Sequence, residues 1–190
     1  VEEIEIAMDA MIPEESMEQY FAENYIEESN CYTNDVPEEF ITEMEEVEKE
    51  IDIPIIGVVK PGAKSAVEST KNKRIGIIGT EGTIKSELYT QYIHSIDPEI
   101  TVVGKACPLF VPLVEEGMLH DSVTDEVASR YLESMKEENI DSLILGCTHY
   151  PLLRSTVGKI MGPEVNLVNP AYETAISLDG LLRQNGIRAD

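Results

Sequence analysis

The chain has 190 residues and a formal net charge of −23 at pH 7. It is long enough to bury a sizeable core, and its acidity argues against a nucleic-acid partner, because nucleic-acid binding needs clustered Lys and Arg side chains. The sequence has neither a secretory signal pattern nor an apolar run near the roughly 20 residues that span a bilayer, so we expect a cytoplasmic protein with no membrane partner.

Residues 1–52 form the acidic part of the chain. They contain 19 acidic side chains against one basic side chain, Lys49, and so hold −18 of the net charge, which leaves −5 for residues 53–190. Such acid density is compatible with short helices and equally with solvated, unstructured chain. We therefore predict two unequal parts, 1–52 and 53–190.

Residues 53–190 alternate β-rich runs with helical patterns. Strands are predicted at 53–59, 74–80, 99–106, 141–146 and 165–169, and helices at 62–70, 83–96, about 122–138, after Pro151 and from about 172. Strands separated by helices of this length are typical of parallel βαβ units. The predicted fold class is α/β, with a parallel sheet and helices on both faces, and with ligands bound beyond the carboxyl ends of the strands.

Gly79, Thr80, Gly82 and Thr83 form a glycine-rich turn between a predicted strand and a helix. Their spacing matches neither a dinucleotide loop nor a Walker loop. Free backbone N–H groups at a helix N-terminus, together with two threonine hydroxyls, favour binding of a carboxylate or phosphate. An ordinary helix cap at Thr83 explains the pattern about as well.

The three cysteines, Cys31, Cys107 and Cys147, cannot form a complete set of disulfides. None has the spacing of a zinc ligand, so we expect reduced thiols and no metal. Cys107 precedes a proline in an apolar stretch and is predicted to be a buried, small hydrophobic side chain. Cys147 ends a strand just before a helix, two residues from His149, where a thiolate can form; a buried strand end is the competing interpretation.

Four segments resemble the sequences of bacterial glutamate racemases, in the same order and at similar spacing. They are IPIIGVVKPGAKSAVEST (53–70), RIGIIGTEGTIKSELY (74–89), ACPLFVPLVEEGM (106–118) and DSLILGCTHYPLL (141–153). The resemblance covers about residues 51–168, and GCTHYPLL favours glutamate racemases over aspartate racemases. It implies an aspartate/glutamate racemase-like lobe, one of two lobes related by a pseudo-twofold axis.

The resemblance also implies an activity, the cofactor-independent interconversion of L- and D-glutamate. This isomerase reaction supplies D-glutamate for peptidoglycan biosynthesis, and so serves cell-wall biogenesis and cell shape. Two cysteines would face opposite sides of the substrate α-carbon, one as a thiolate base and the other as a thiol acid. Glutamate is the implied small-molecule partner, no cofactor is implied, and a homodimer is compatible with the family.

The resemblance assigns a role to each candidate residue. Cys147 is implied to be one catalytic thiol, with His149 assisting it or the bound amino acid. The substrate-binding residues implied are Thr80, Thr83, Thr148 and Glu115.

Cys31 is the candidate for the second catalytic thiol. The segment around it departs from the family pattern, because Cys31 is followed by Tyr32 and Thr33 where a Cys-Asn-Thr sequence is usual. The N-terminal part is therefore interpreted as a divergent or incomplete lobe. The alternative hypothesis is a catalytically inactive remnant that acts as a binding or interaction protein.

Overall fold

The computed structural model describes residues 55–186 and 188. These residues belong to one compact unit. The strands are β1 (Arg74–Gly79), β2 (Thr101–Ala106), β3 (Ser142–Gly146) and β4 (Asn166–Val168). The helices are α1 (Val59–Ser69), α2 (Glu81–Lys85), α3 (Leu88–Ile96), α4 (Phe110–Glu115), α5 (Ser122–Glu137), a 3₁₀ helix (Tyr150–Leu153), α6 (Arg154–Met161) and α7 (Pro170–Gln184). The predicted segment 1–52 lies outside the described residues.

The four strands form one parallel sheet with the order β2-β1-β3-β4. This confirms the predicted α/β fold class. In the central strands, Gly79 of β1 pairs with Ala106 of β2 on one side and with Gly146 of β3 on the other. The carboxyl ends of these three strands therefore lie together at one edge of the sheet.

Helices cover both faces of the sheet, as predicted. Ile75, Ile77 and Ile144 are buried on the face that packs against α1 and α3. Ile78 and Leu143 are buried on the other face, against α4, α5 and α6. Because a strand buried on both faces is mostly apolar, β1 and β3 are apolar runs after their first residues, Arg74 and Ser142.

The predicted strand at 53–59 is wrong for the residues that the structure describes. Residues 55–57 are irregular, and α1 begins at Val59. Pro61 lies in the first turn of this helix, where its missing N–H group is not needed. A short apolar run does not by itself distinguish a strand from the approach to a helix.

The predicted helix at 83–96 is two helices, α2 and α3. Glu87 separates them with a left-handed backbone conformation, φ 52°. The helix predicted at 122–138 and the strand predicted at 141–146 are confirmed to within one residue at each end. The last helix begins at Pro170, and Asn169 caps it by accepting a hydrogen bond from the N–H of Ala171 (3.1 Å).

Among residues 55–186, no helix has the length and apolar character needed to cross a bilayer.

Candidate active site

The candidate site lies at the carboxyl edge of the sheet, where β1 and β3 end side by side. Thr80 follows β1 and Cys147 follows β3, and the last residues of these two strands pair with each other. A Cβ atom at Gly79 would lie 2.9 Å from the Cβ of Thr83, so only glycine leaves room for that threonine. Packing thus requires a glycine at this turn, and the glycine lets Thr83 lie close to the strand ends.

Thr80 and Thr83 form one polar pair beside β1. The Oγ1 of Thr80 accepts a hydrogen bond from the backbone N–H of Thr83 (3.3 Å), and the two hydroxyl oxygens lie 3.0 Å apart. The interpretation of Thr83 as the helix cap is wrong, because Thr80 is the capping residue. Both side chains remain partly exposed, so their hydroxyls can also turn toward an anionic ligand.

Cys147, His149 and Glu115 form a connected chain of side chains. The Sγ of Cys147 lies 3.9 Å from Nδ1 of His149, and Nε2 of His149 lies 3.3 Å from Oε1 of Glu115. When Glu115 accepts the Nε2 proton of a neutral imidazole, Nδ1 carries a lone pair toward the thiol. This arrangement can accept the proton of Cys147 and leave a thiolate.

Thr148 is the exposed member of the same turn. Its hydroxyl lies 3.3 Å from Nδ1 of His149. The imidazole nitrogen therefore has two neighbours, the sulfur of Cys147 and the hydroxyl of Thr148. The thiol of Cys147 can act as an acid or a base. The hydroxyl of Thr148 can bind a carboxylate.

Cys107 also lies at the carboxyl edge, after β2, but it is sealed from solvent. Its side chain has 0% exposure, and its Sγ donates to the carbonyl oxygen of Lys105 at 3.7 Å. Burial raises the pKa of the Cys107 thiol to about 12. The prediction that Cys107 is a buried apolar side chain is confirmed.

A cavity of about 120 Å³ opens beside Cys147. The residues lining it are Val58, Tyr89, Leu145, Gly146, Cys147, Thr148, Pro151, Asn169, Pro170 and Ala171. Tyr89 and Asn169 were not candidate residues in the sequence analysis. Tyr89 follows the apolar pattern of α3, and nothing in that pattern indicates that its ring reaches the end of β3.

The sequence candidates therefore fall into three groups. The structure brings Cys147, Thr148, His149 and Glu115 into one cluster and pairs Thr80 with Thr83 at the same edge. Cys31 lies outside the described residues. The described residues thus offer one accessible thiol, which can move a proton on one face of a ligand.

Comparison with known sequences identifies one family. The sequence model for Asp/Glu/hydantoin racemases matches residues 42–175, which include the described candidate residues but not Cys31. The glutamate racemase of Geobacter metallireducens is 47% identical over 140 residues, which are 74% of this chain and 52% of that protein. The chain thus spans about half the length of the curated relatives it matches.

Comparison with solved structures also finds similarity to glutamate racemases. A glutamate racemase isoform from Bacillus anthracis has a TM-score of 0.74 and 40% identity, over 77% of this chain and 55% of that one. The glutamate racemase of Francisella tularensis, solved in complex with D-glutamate, has a TM-score of 0.67 and 35% identity, over 73% of this chain and 51% of that one. Each of these matches covers about half of the similar protein.

Proposed function

Because the chain belongs to the Asp/Glu/hydantoin racemase family, we propose that it binds glutamate at the carboxyl edge of its sheet and interconverts the L and D forms. The observation that carries this proposal is the accessible thiol of Cys147, which lies 3.9 Å from an imidazole that itself contacts Glu115. The names of its relatives support glutamate as the substrate.

In the proposed mechanism, Cys147 removes or delivers the α-proton on one face of the amino acid. His149 takes the thiol proton through Nδ1 and leaves the thiolate, while Glu115 holds the ring through Nε2. The hydroxyls of Thr80 and Thr83 donate to a substrate carboxylate. Negative charge grows next to the α-carboxylate as the proton leaves, so fixed donors at that point lower the barrier.

Inversion also requires a proton on the opposite face of the α-carbon. We assign this second acid/base role to Cys31, the third cysteine of the sequence. A thiol suits both directions of the reaction, because its pKa lies close enough to neutrality for it to act as acid or as base. The proposed reaction needs neither a cofactor nor a metal.

The proposed cellular role follows from the reaction product, D-glutamate. D-glutamate is a building block of peptidoglycan, so the activity would serve cell-wall biogenesis in the cytoplasm. A reducing compartment fits Cys107 and Cys147, which are both free thiols in the structure. A homodimer is the assembly that we propose for the working enzyme.

A second candidate function is binding without turnover. It is favoured by one observation, the position of Cys31 outside the family match at residues 42–175. Without a second thiol, the lobe would hold a ligand next to Cys147 and could exchange the α-proton on one face only. Such a protein would act through binding or interaction rather than through catalysis.

Proton NMR in D₂O distinguishes the two functions. D- and L-glutamate are incubated separately with the purified chain, and loss of the α-proton signal is followed together with optical rotation. We expect both enantiomers to exchange and the rotation to decay to zero. Cys147→Ser should slow the decay of rotation, and the exchange of the enantiomer whose α-proton faces Cys147, by about 10²–10⁴-fold, the usual contribution of a positioned acid or base.

Cys31→Ser is the matched control, because it makes the same change at the other proposed base. It should abolish inversion and leave exchange of one enantiomer. If the unmodified chain exchanges one enantiomer without loss of rotation, the second function replaces the first. If neither enantiomer exchanges, the catalytic role of Cys147 is wrong.

A further inference from the structure

Tyr89 lines the cavity beside Cys147 and is almost completely buried. It lies in the first turn of α3, and its side chain is 5% exposed. A Cβ atom at Gly146 would lie 3.4 Å from Cε2 of Tyr89, so the ring packs directly against the end of β3. The phenol thus reaches the sheet edge at the residue that precedes the reactive thiol.

The hydroxyl of Tyr89 has no hydrogen-bond partner within the described part of the chain. In that part, every side-chain oxygen or nitrogen that is sealed from solvent has a partner. The Tyr89 oxygen is therefore not sealed, and the open space that the residue lines is the cavity. Tyr150 provides a contrast, because it is also buried and donates its hydroxyl proton to the carbonyl oxygen of Cys107 at 2.8 Å.

An unpartnered hydroxyl in a nearly buried position is unfavourable unless a ligand or water completes it. The same cavity is lined by Cys147 and Thr148. Burial, together with the negative charge of a Cys147 thiolate, raises the pKa of Tyr89 to about 12. The phenol therefore keeps its proton at pH values where the thiolate exists, and it can donate a hydrogen bond there.

We propose that the Tyr89 hydroxyl donates a hydrogen bond to a carboxylate oxygen of the amino acid bound against Cys147. A carboxylate is the ligand group that most needs such a donor, because a second anion beside a thiolate is otherwise repelled. This inference rests on the proposed function and adds a substrate-binding residue that lies on α3, away from the Thr80 turn and the Cys147 turn.

Protection of Cys147 from alkylation tests the inference without relying on turnover. Iodoacetamide modification of Cys147 is followed by peptide mass spectrometry at increasing concentrations of D- or L-glutamate. In Tyr89→Phe, which keeps the ring and removes only the hydroxyl, the half-protecting concentration should rise by about tenfold or more, as expected for a lost hydrogen bond to a charged group.

Tyr92→Phe is the matched control on the same helix. Tyr92 is partly buried against the α1–α3 face of the core and does not line the cavity. This variant should be protected at the glutamate concentration of the unmodified protein. The thermal midpoint of Tyr89→Phe should not fall, because the hydroxyl that it loses has no partner to leave unsatisfied.

Two results would overturn the inference, and they differ in meaning. If glutamate protects the unmodified protein and Tyr89→Phe equally well, the phenol does not bind the substrate, while the proposed function stands. If glutamate does not protect the unmodified protein at all, the proposed function fails, and the role of Tyr89 fails with it. A lower thermal midpoint with unchanged protection would assign the hydroxyl a structural role.

Discussion

Cys107 and Cys147 lie at the same edge of the sheet, but their surroundings favour different reactivity of the two thiols. Each follows a parallel strand at the same edge, after β2 and β3 respectively. Cys107 is surrounded by the apolar core, whereas Cys147 is only partly buried and has His149 beside it. Formation of a thiolate is favoured by solvation and by a nearby proton acceptor, so we expect Cys147 to be the more reactive of the two thiols.

Cys107 should therefore be inert in the folded protein. With a pKa of about 12, only on the order of one thiol in ten thousand is ionised at about pH 8. We expect iodoacetamide to modify Cys147 in the native protein and Cys107 only after unfolding in urea. Peptide mass spectrometry of both samples measures this, and equal labelling of the two cysteines in the native protein would contradict the assignment.

The residues with distinctive chemistry were predictable from the sequence, but their partners were not. Cys147, Thr148 and His149 are adjacent in the chain, and the strand that precedes them is a clear apolar run. Glu115 was implied by the family resemblance but not by a local pattern, and Tyr89 was not a candidate. Only the folded chain shows how both reach this edge. Local patterns do not contain that information, because it depends on how α3 and α4 pack on the sheet.

At the level of secondary-structure elements, Asp141 joins the start of β3 to the connection between α1 and β1. It accepts hydrogen bonds from the hydroxyl of Thr70 and from the backbone N–H groups of Lys71 (2.7 Å) and Asn72 (2.9 Å). Burial alone would raise the pKa of Asp141, but these hydrogen bonds outweigh burial and hold the pKa below its usual value. The connection is thereby fixed at the amino end of the sheet, opposite the candidate site.

Asp141→Asn should lower stability in a pH-dependent way. The folded-state pKa of Asp141 is depressed, so its contribution is present above the unfolded-state pKa and is lost as the pH falls through the folded-state pKa. We expect the free energy of unfolding near neutral pH to fall by about 1.5–3 kcal/mol, the range for hydrogen bonds to a charged group. The difference in the free energy of unfolding between Asp141→Asn and the unmodified protein should become smaller at acidic pH.

Urea unfolding of both proteins over the acidic and neutral range measures this difference. Asp179→Asn is the control, because it removes a carboxylate that is 43% exposed and pairs with Arg183 on α7. Exposed ion pairs of this kind contribute little, so its stability should stay close to that of the unmodified protein. A deficit in Asp141→Asn that does not change with pH would contradict the assigned pKa shift.

The central elements of the fold were predictable because their patterns are unambiguous. The runs that form β1 and β3 are short, apolar and bounded by polar residues or glycine, and α5 has a long helical pattern with Asp121 as its cap. The predictions failed where a local backbone feature decides the outcome. Glu87 divides one predicted helix with a left-handed conformation, which a glutamate rarely adopts.

At the scale of the whole molecule, the described lobe holds one accessible thiol and the polar groups around it. The chain spans about half the length of its curated relatives, and inversion requires acid/base groups on both faces of the α-carbon. Glutamate binding and turnover are therefore two separable proposals. The first places glutamate at the edge formed by Thr80 and Cys147, and the second assigns turnover to a second thiol.

The first claim is central, and a titration of the ¹⁵N-labelled chain with D- and L-glutamate, followed by amide chemical shifts, tests it most directly. We predict saturable shifts of the amides of Thr80, Thr83, Cys147 and Thr148, because these groups surround the proposed carboxylate positions. The amides near Val123 and Tyr131, which line a separate groove by α5, should not move. Shifts confined to that groove, or no shifts at all, would contradict the account.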